Sequence, residues 1–356
     1  MRKTTKTILL TAVLFAATFH SCEKPTDIPE EQTNEITAET PRYLAAADGY
    51  VYASCYNPHC VVRIDTSELR ITALCTLGGY YPEGLCAIGG KLYVASNSIA
   101  DERSVRTYDN KLYVVDLSTF TVKDSFTVGL NPSKVAVLND NCISLNYWGN
   151  YKDIPAGTMI MNTSTKEITN LPVALYNYDV YDGDIYGYTS PYGSLSFYRI
   201  DGRTLQAEKI LTEWPKGVSP YGIKVNEHNG DIIVLTDGMY SSAGDCYIFT
   251  NTGTLRCEPL EMDILPSKVH CIDADHLLVL NEGLWGENNA EISMVDIPNK
   301  KVTTNWFSST NQRGLGDVGQ DMLKYGSRIY TTVSFSNSIE VINPSTGKSK
   351  RIATAK

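Results

Sequence analysis

The sequence predicts an all-β protein, a seven-bladed β-propeller of four-stranded blades, on three observations. A motif of Pro or Asn, a short apolar strand, a Gly/Asp/Asn turn and a second strand recurs seven times at roughly 45 residues, the length of one blade. The second strand of each repeat is apolar almost without interruption, as burial on both faces requires. No stretch has the periodicity of a long amphipathic helix. A pair of β-sandwiches is the nearest alternative, and the sevenfold period argues against it.

Each repeat begins with a proline or an amide side chain ahead of a short apolar strand. The clearest copies begin at Pro41, Pro82, Pro132, Pro220 and Pro266, and degenerate copies lie near residues 178–181 and 320–323. A polar turn that tolerates positive φ follows each start, such as Asp48-Gly49. A third strand ending in Asp or Asn comes next, as at Asp65, and a fourth strand completes the blade.

The two ends of the chain are expected to share a blade. The C-terminal repeat is one strand short of a full set, and the strand near Tyr43 has no blade of its own. An N-terminal strand that closes the last blade would leave no free sheet edge. This predicts a single propeller domain over residues 39–356.

Residues 1–21 are predicted to be a lipoprotein signal peptide. Arg2, Lys3 and Lys6 precede an uncharged, mostly apolar run over residues 8–19 that is too short to span a bilayer comfortably. Cys22 follows this run directly. The order resembles a bacterial lipoprotein signal and implies lipidation of Cys22; ordinary secretory cleavage beside a chance cysteine is the alternative. Residues 22–38 are polar and acidic and are expected to form a flexible tether.

The charge balance argues against nucleic acid as a partner. The chain carries a formal net charge of −9, with no basic cluster after its first few residues, whereas phosphate neutralisation needs Lys and Arg on one face. An anionic ligand would be repelled unless a local cation offset this charge. The 23 tyrosines, against 8 phenylalanines and 4 tryptophans, are typical of surfaces that combine apolar rings with hydrogen-bonding groups.

Alternate loops of an antiparallel blade lie at opposite ends of the ring. The first-to-second and third-to-fourth turns are short and polar, whereas the second-to-third and blade-to-blade loops are long and aromatic. We call the end that carries the long loops the loop face. Function usually resides in long loops on a rigid scaffold, so a binding site is predicted there.

Ten residues of these loops are predicted to contact a ligand. They are Tyr81, Tyr147, Trp148, Tyr178, Tyr192, Trp214, Tyr221, Tyr240, Trp285 and Arg313. Tyr80, Tyr151 and Tyr176 are assigned to the same face. An aromatic platform with amide and hydroxyl groups between the rings suits a large, partly planar ligand, and Arg313 would pair with an anionic group. The alternative is that these rings fold back and fill the loops.

No catalytic or metal-binding signature is present, and we predict a protein that is not an enzyme and has no metal or cofactor of its own. His59, His228, His270 and His276 lie in different repeats, and no two have the spacing of metal ligands. Nucleophile-elbow, P-loop and dinucleotide motifs are missing from the sequence.

Eight cysteines follow Cys22, an even number in a chain predicted to be extracytoplasmic. Cys55 and Cys60 flank a short loop, and Cys246 and Cys257 flank a turn, so either pair is a candidate disulfide. Small buried thiols are the alternative.

The turns and the second-to-third strand runs resemble those of the YncE-like seven-bladed propellers over the whole chain after the tether. Together with the signal at Cys22 and the aromatic loops, the chain resembles the BtuG-type surface cobalamin-binding lipoproteins of Bacteroidetes. The resemblance implies capture of cobalamin (vitamin B12) or another corrinoid on the loop face and its transfer to a TonB-dependent outer-membrane transporter. It also implies an outer-membrane location facing the cell exterior, with membrane contact through the lipid anchor alone. The alternatives are a scaffold that docks a protein, or capture of an iron chelate or a glycan.

Overall fold

The structure is a computed structural model that describes residues 36–355, except residues 101–105 and 212. The predicted signal peptide, the lipidation site at Cys22 and nearly all of the tether lie outside the described residues.

The described chain forms seven sheets of four consecutive antiparallel strands each. Blade 1 contains β1 (Glu39–Ala47), β2 (Tyr50–Asn57), β3 (Cys60–Asp65) and β4 (Arg70–Thr76). Blade 2 contains β5 (Pro82–Ile88), β6 (Lys91–Ala100), β7 (Arg106–Asp116) and β8 (Thr121–Thr127). Blade 3 contains β9 (Pro132–Asn139), β10 (Cys142–Tyr147), β11 (Gly157–Asn162) and β12 (Ile168–Asn170). Blade 4 contains β13 (Asn177–Tyr181), β14 (Asp184–Tyr188), β15 (Phe197–Ile200) and β16 (Ala207–Leu211).

The remaining blades follow the same plan. Blade 5 contains β17 (Pro220–Val225), β18 (Ile232–Thr236), β19 (Ala243–Phe249) and β20 (Leu260–Ile264). Blade 6 contains β21 (Pro266–Cys271), β22 (His276–Asn281), β23 (Glu291–Asp296) and β24 (Lys301–Thr303). Blade 7 contains β25 (Gly319–Tyr325), β26 (Arg328–Val333), β27 (Ser338–Ile342) and β28 (Ser349–Ala353). A 3-10 turn (Gly238–Tyr240) and one short helix, α1 (Trp306–Asn311), lie in loops.

The sheets form a closed ring, which confirms the predicted seven-bladed propeller. The first strand of each blade contacts the first strand of the next, and β25 of the last blade contacts β1 of the first. These seven first strands therefore surround the central channel. Strands such as Ile232–Thr236 and Leu277–Leu280 are fully buried between neighbouring blades, as their continuous apolar sequences predicted.

The prediction that the chain ends share a blade was wrong. β1 pairs with β2 of its own sheet, and β28 supplies the fourth strand of blade 7. The sequence of β28 does not stand out as a strand, because an outer strand needs little burial: Ile352 is its one buried side chain, and an exposed lysine and arginine precede it.

Side-chain and backbone hydrogen bonds join the first and last blades instead of a shared strand. The backbone N–H of Ala38 donates to the carbonyl of Thr354 at 2.6 Å, and that of Thr40 donates to Oδ1 of Asn337 at 2.9 Å. The hydroxyl of Ser334 donates to the carbonyl of Pro41 at 2.7 Å. The first blade is thereby attached to the last at the loop face.

Several tyrosines belong to the core and not to a surface. Tyr52, Tyr93, Tyr178, Tyr188 and Tyr330 are among the largest fully buried side chains of the described chain. Burial of a tyrosine requires a partner for its hydroxyl, and the hydroxyl of Tyr188 donates to the carbonyl of Tyr221 at 2.7 Å.

All eight cysteines from Cys55 to Cys271 are free thiols. Cys55 and Cys60 lie directly opposite each other on β2 and β3, and both are buried. Neither of the two candidate disulfides is present. Six of the eight cysteines are small buried thiols, and Cys142 and Cys257 are partly exposed.

Candidate functional site

The exposed large apolar side chains of the described chain are concentrated at one end of the ring. Nine such side chains are exposed, and seven of them lie in second-to-third loops. These seven are Tyr151, Ile154, Tyr192, Met239, Tyr240, Trp285 and Phe335. They come from the loops of five successive blades, blades 3 to 7, and all of those loops project from the loop face. Exposed apolar side chains that cluster at one end of a molecule mark an interaction site more often than scattered ones do.

Five aromatic side chains of blades 3, 4 and 5 form an arc around the mouth of the channel. Trp148 stacks on Tyr176 with ring centroids 5.9 Å apart, and Tyr176 meets Tyr192 edge to face at 6.2 Å. The hydroxyls of Tyr192 and Tyr240 are 3.0 Å apart, and Tyr240 packs edge to face against Tyr221 at 5.7 Å. We call these five residues the aromatic arc.

The loop of blade 3 is held in shape by the side chain of Asn150. Its Oδ1 accepts hydrogen bonds from the backbone N–H groups of Lys152, Asp153 and Ile154 at 3.1, 3.1 and 2.9 Å. This loop presents Tyr151 and Ile154 to solvent in a fixed backbone conformation.

The loop of blade 5 presents Tyr240 from the 3-10 turn. Oδ1 of Asp237 accepts a hydrogen bond from the backbone N–H of Met239 at 2.9 Å. Gly238, Met239 and Tyr240 all have positive φ, at 54°, 58° and 60°. A Cβ at Gly238 would lie 2.7 Å from the carbonyl oxygen of Ala243, so the turn requires glycine there.

The aromatic arc borders a cavity of about 240 Å³ at the mouth of the channel. Trp148, Tyr176, Tyr221 and Tyr240 line it on one side. Its polar lining includes Lys134, Lys268, Glu282 and Gln320. A second cavity of about 250 Å³ lies among the first strands, and Lys134 and Lys268 line it as well. The two lysines therefore connect the mouth of the channel with its interior.

The channel contains charged side chains in pairs. Nζ of Lys224 is 3.1 Å from Oδ2 of Asp179, and Nζ of Lys268 is 3.6 Å from Oδ1 of Asp321. Burial alone would lower the pKa of the Lys268 ammonium, but Asp321 and other neighbours outweigh it and raise the pKa. Lys268 therefore stays protonated at neutral pH.

A third charged pair lies between blades 1 and 2. Nη2 of Arg42 is 3.4 Å from Oε2 of Glu83, and Arg42 also donates to Oε1 of Gln320. Tyr56 donates its hydroxyl to Glu83 and stacks on Tyr81 with centroids 4.3 Å apart. Because Arg42 already has these partners, it supports the wall of the channel and is not free to bind a ligand.

Glu282 at the mouth accepts a hydrogen bond from the Tyr221 hydroxyl at 3.1 Å. Burial raises the pKa of Glu282, and the surrounding donors and cations only partly offset this. Burial and the nearby Glu282 carboxylate both raise the pKa of Tyr221. The mouth thus combines aromatic faces with a carboxyl group and hydroxyls, which are hydrogen-bonding partners for amide groups.

Four of the ten predicted ligand residues meet at the mouth: Trp148, Tyr192, Tyr221 and Tyr240. Two more lie elsewhere on the loop face. The Trp285 side chain is 75% exposed and 6.0 Å from Phe335, and Tyr81 packs between Tyr56 and His59.

Two of the predicted residues are structural. Tyr178 is 0% exposed, and its hydroxyl donates to the carbonyl of Ser144 at 2.9 Å, so no ligand reaches it. The ring of Tyr147 fills the space above two glycines, since an added Cβ at Gly129 or Gly157 would lie 2.2 or 2.1 Å from its atoms.

Two further predicted residues are committed to other contacts. Trp214 packs between Phe197 and Tyr247 at 4.9 and 4.8 Å and lines a separate cavity. Arg313 makes a two-pronged ion pair with Glu340, at 2.8 and 2.7 Å. The candidate site therefore does not include Tyr147, Tyr178, Trp214 and Arg313. A sequence pattern does not distinguish a side chain that packs back against its own blade from one that is exposed to a ligand.

The polar residues of the mouth were missed by sequence reasoning. Lys134 and Lys268 each stand two residues after the motif proline, as does Tyr43. All three side chains line the channel. Comparison of this one position across the seven repeats would have identified the channel lining.

Among the described residues, no group of three or more His, Cys, Asp or Glu side chains is arranged to hold a metal ion. Within the same part of the chain, none of the helices has the length and apolar character needed to cross a bilayer.

Comparisons with known proteins support the fold alone. No protein-family profile and no curated protein sequence matches the chain. Kuenenia stuttgartiensis hydrazine synthase is similar in structure, with a TM-score of 0.60 and 13% identity over 88% of this chain and 99% of that one. A streptogramin B lyase gives 0.57 and 14% over 86% and 92%. The Cps50 (Swd1) β-propeller domain of Myceliophteria thermophila gives 0.52 and 13% over 86% and 93%. At these identities the similarity establishes the propeller fold and carries no information on activity.

Proposed function

We propose that the loop face captures cobalamin or a related corrinoid, without catalysis, and passes it to a TonB-dependent outer-membrane transporter. The observation that carries the proposal is the concentration of exposed apolar side chains on the loop face beside a polar cavity. A corrinoid is a flat macrocycle bordered by amide arms, so it needs both kinds of surface. The aromatic arc offers ring faces and edges, and Glu282 and Gln320 offer partners for amides.

The energetics favour tight capture. Apolar surface removed from water contributes roughly 25 cal/mol per Å², and a macrocycle laid across several rings buries a large apolar area. Loops that are already fixed by Asn150 and Asp237 lose little conformational entropy on binding.

The route to the membrane in this proposal depends on lipidation of Cys22 and on the acidic tether. Both resemble the features of Bacteroidetes surface lipoproteins. Together they would keep the propeller at the outer membrane, facing the cell exterior, near its transporter.

The direct test is a visible absorption spectrum of the purified protein after incubation with cyanocobalamin and desalting. Near-stoichiometric corrinoid colour is expected to remain with the protein. A colourless protein would contradict corrinoid capture.

Single substitutions test the position of the site. Trp148→Ala, Tyr192→Ala and Trp285→Ala are each expected to weaken corrinoid binding by about three- to tenfold, or ~1 kcal/mol, because each removes an aromatic surface. Tyr192 and Trp285 are 71% and 75% exposed, so their removal should leave the free energy of unfolding unchanged. Tyr181→Ala, at the opposite end of the ring, is the matched control. Equal affinities for all four variants and the unaltered protein would place the site elsewhere.

A protein-docking role for the same face is favoured by one specific observation. Met239 is 85% exposed and Ile154 is also exposed at the rim, and flexible aliphatic side chains of this kind are typical of protein contacts. We propose that this rim contacts the transporter. Substitution of both residues by Ser should impair assembly with the transporter and leave corrinoid retention intact.

A further inference from the structure

Among the described residues, three half-buried lysines line the channel, and two of them are paired with carboxylates. Lys224 is paired with Asp179 and Lys268 with Asp321. Lys134 forms no ion pair with any described carboxylate, although it stands on β9 in the same ring of first strands. An ammonium that is withdrawn from bulk water without a charged partner is costly and therefore unusual.

The contacts of Lys134 satisfy only part of its hydrogen-bonding capacity. Its ammonium donates to the carbonyl of Tyr178 and lies 5.1 Å from the centre of the Tyr178 ring. An ammonium has three N–H donors, so the carbonyl leaves donors available to the adjoining cavities. Tyr178, buried beneath it, fixes the ammonium in place.

The electrostatics of the channel favour binding of an anion beside Lys134. Burial lowers the pKa of Lys134 to about 8; the nearby Asp179 and Asp321 oppose this shift, while Lys268 and Lys224 reinforce it. At neutral pH the ammonium is therefore charged but incompletely compensated. Asp179 and Asp321 are themselves held by the other two lysines, which limits their repulsion of an incoming anion.

Both cavities described above adjoin Lys134, one at the mouth beside the aromatic arc and one in the channel. We propose that Lys134 binds an anionic oxygen group, a phosphate or a carboxylate, that enters the channel from the loop face. This inference rests on the proposed function for its link to the corrinoid. It adds that an anionic group of the ligand extends past the aromatic arc and binds to Lys134. The local cation overcomes the repulsion expected from a net charge of −9.

The first test uses inorganic sulfate, whose charge is constant between pH 7 and pH 9.5, and isothermal titration calorimetry. The unaltered protein is expected to bind sulfate at least tenfold more tightly at pH 7 than at pH 9.5, because Lys134 loses its proton in between. Lys134→Met should bind sulfate at least tenfold more weakly at pH 7. Lys91→Met, which removes an exposed lysine at the other end of the ring, is the matched control.

Loss of folding does not explain the expected result, since Lys134→Met removes an incompletely compensated charge and should melt at an equal or higher temperature. The inference is overturned if the unaltered protein does not bind sulfate, or if Lys134→Met binds it equally well.

A second pair of measurements distinguishes a group of the corrinoid from a free anion. Cobalamin carries a phosphodiester in its nucleotide arm, and cobinamide lacks that arm. If the bound group belongs to the corrinoid, Lys134→Met weakens cobalamin binding and leaves cobinamide binding unchanged. If sulfate binding is lost while neither corrinoid is affected, the site holds a free anion.

The two proposals fail in different ways. Sulfate binding that depends on Lys134 in a protein that retains no corrinoid would sustain the anion site and contradict corrinoid capture. Corrinoid retention without sulfate binding at Lys134 would sustain corrinoid capture and contradict the anion site.

Discussion

At the scale of single residues, the buried carboxylate of Glu340 gives Arg313 a structural role. The Glu340 side chain is 0% exposed and is paired with both Arg313 and Arg351. Burial alone would raise the pKa of this carboxyl, but hydrogen bonds from Arg313, Ser349 and Arg351 outweigh it and lower the pKa. Arg313 is therefore a structural residue of blade 7, although its position in a loop predicted an anion-binding role.

Arg313→Ala is expected to lower the free energy of unfolding by roughly 1–3 kcal/mol, because Glu340 keeps Arg351 but loses two charge-assisted hydrogen bonds. Urea unfolding measures the change, with Lys91→Ala as the control for removal of an unpaired cation. Corrinoid affinity should not change. Weaker corrinoid binding with unaltered stability would return Arg313 to the ligand site.

The sequence predicted most aromatic residues of the arc, but not the polar residues beside it, such as Lys134 and Lys268. Trp148, Tyr192, Tyr221 and Tyr240 were found because rings in long loops are conspicuous. Tyr178 is a tyrosine on the first strand of blade 4, as Tyr221 is on the first strand of blade 5, yet its side chain is fully buried. That difference depends on packing between neighbouring blades, which no local pattern encodes.

At the scale of elements, the first strand of each blade has two roles. It packs against the first strands of both neighbouring blades, and its unpaired edge lines the channel. The periodic turns predicted these strands because Gly, Asp and Asn at fixed spacing specify hairpins. The short outer strands were harder to predict, since β12, β24 and β28 bury few side chains.

His270 on β21 makes the stability of blade 6 sensitive to acid. Burial lowers its pKa to about 4, below the ordinary value of 6.5. Between these values the unfolded chain takes up a proton that the folded chain excludes, so stability falls as the pH drops from about 6.5 toward 4. The unaltered protein should lose roughly 2 kcal/mol more than His270→Gln between pH 7 and pH 5.

Chemical denaturation at both pH values measures this difference. His276 provides the opposite control: the hydrogen bond from its ring to Asp273 raises its pKa. Its contribution is therefore present at low pH and lost as the pH rises, and His276→Gln should remove stabilisation at pH 5. An equal acid response of His270→Gln and the unaltered protein would show that His270 is not the sensitive group.

At the scale of the whole molecule, closure depends on contacts between complete blades. Asn337 accepts from the backbone N–H of Thr40 through its side chain and from that of Thr354 through its carbonyl at 2.7 Å. It also has a positive φ of 47°, a conformation that asparagine adopts more readily than alanine.

Asn337→Ala is expected to cost roughly 1–2 kcal/mol of unfolding free energy, because it leaves the Thr40 N–H unpaired and strains the turn. Urea unfolding, with the exposed turn residue Asn251 changed to Ala as the control, measures the effect. No loss of stability would mean that the ends are held by the other contacts alone.

Throughout the described chain no strand is exchanged between blades, so each second-to-third loop of the loop face is held by two strands of its own blade. The loop of blade 7 is an exception, because its Ser334 and Asn337 also bond to blade 1. A substitution in any other second-to-third loop alters one sector of the loop face and leaves the strand pairing of the other six blades intact. Such a ring can acquire new specificity sector by sector, without passing through variants that cannot fold.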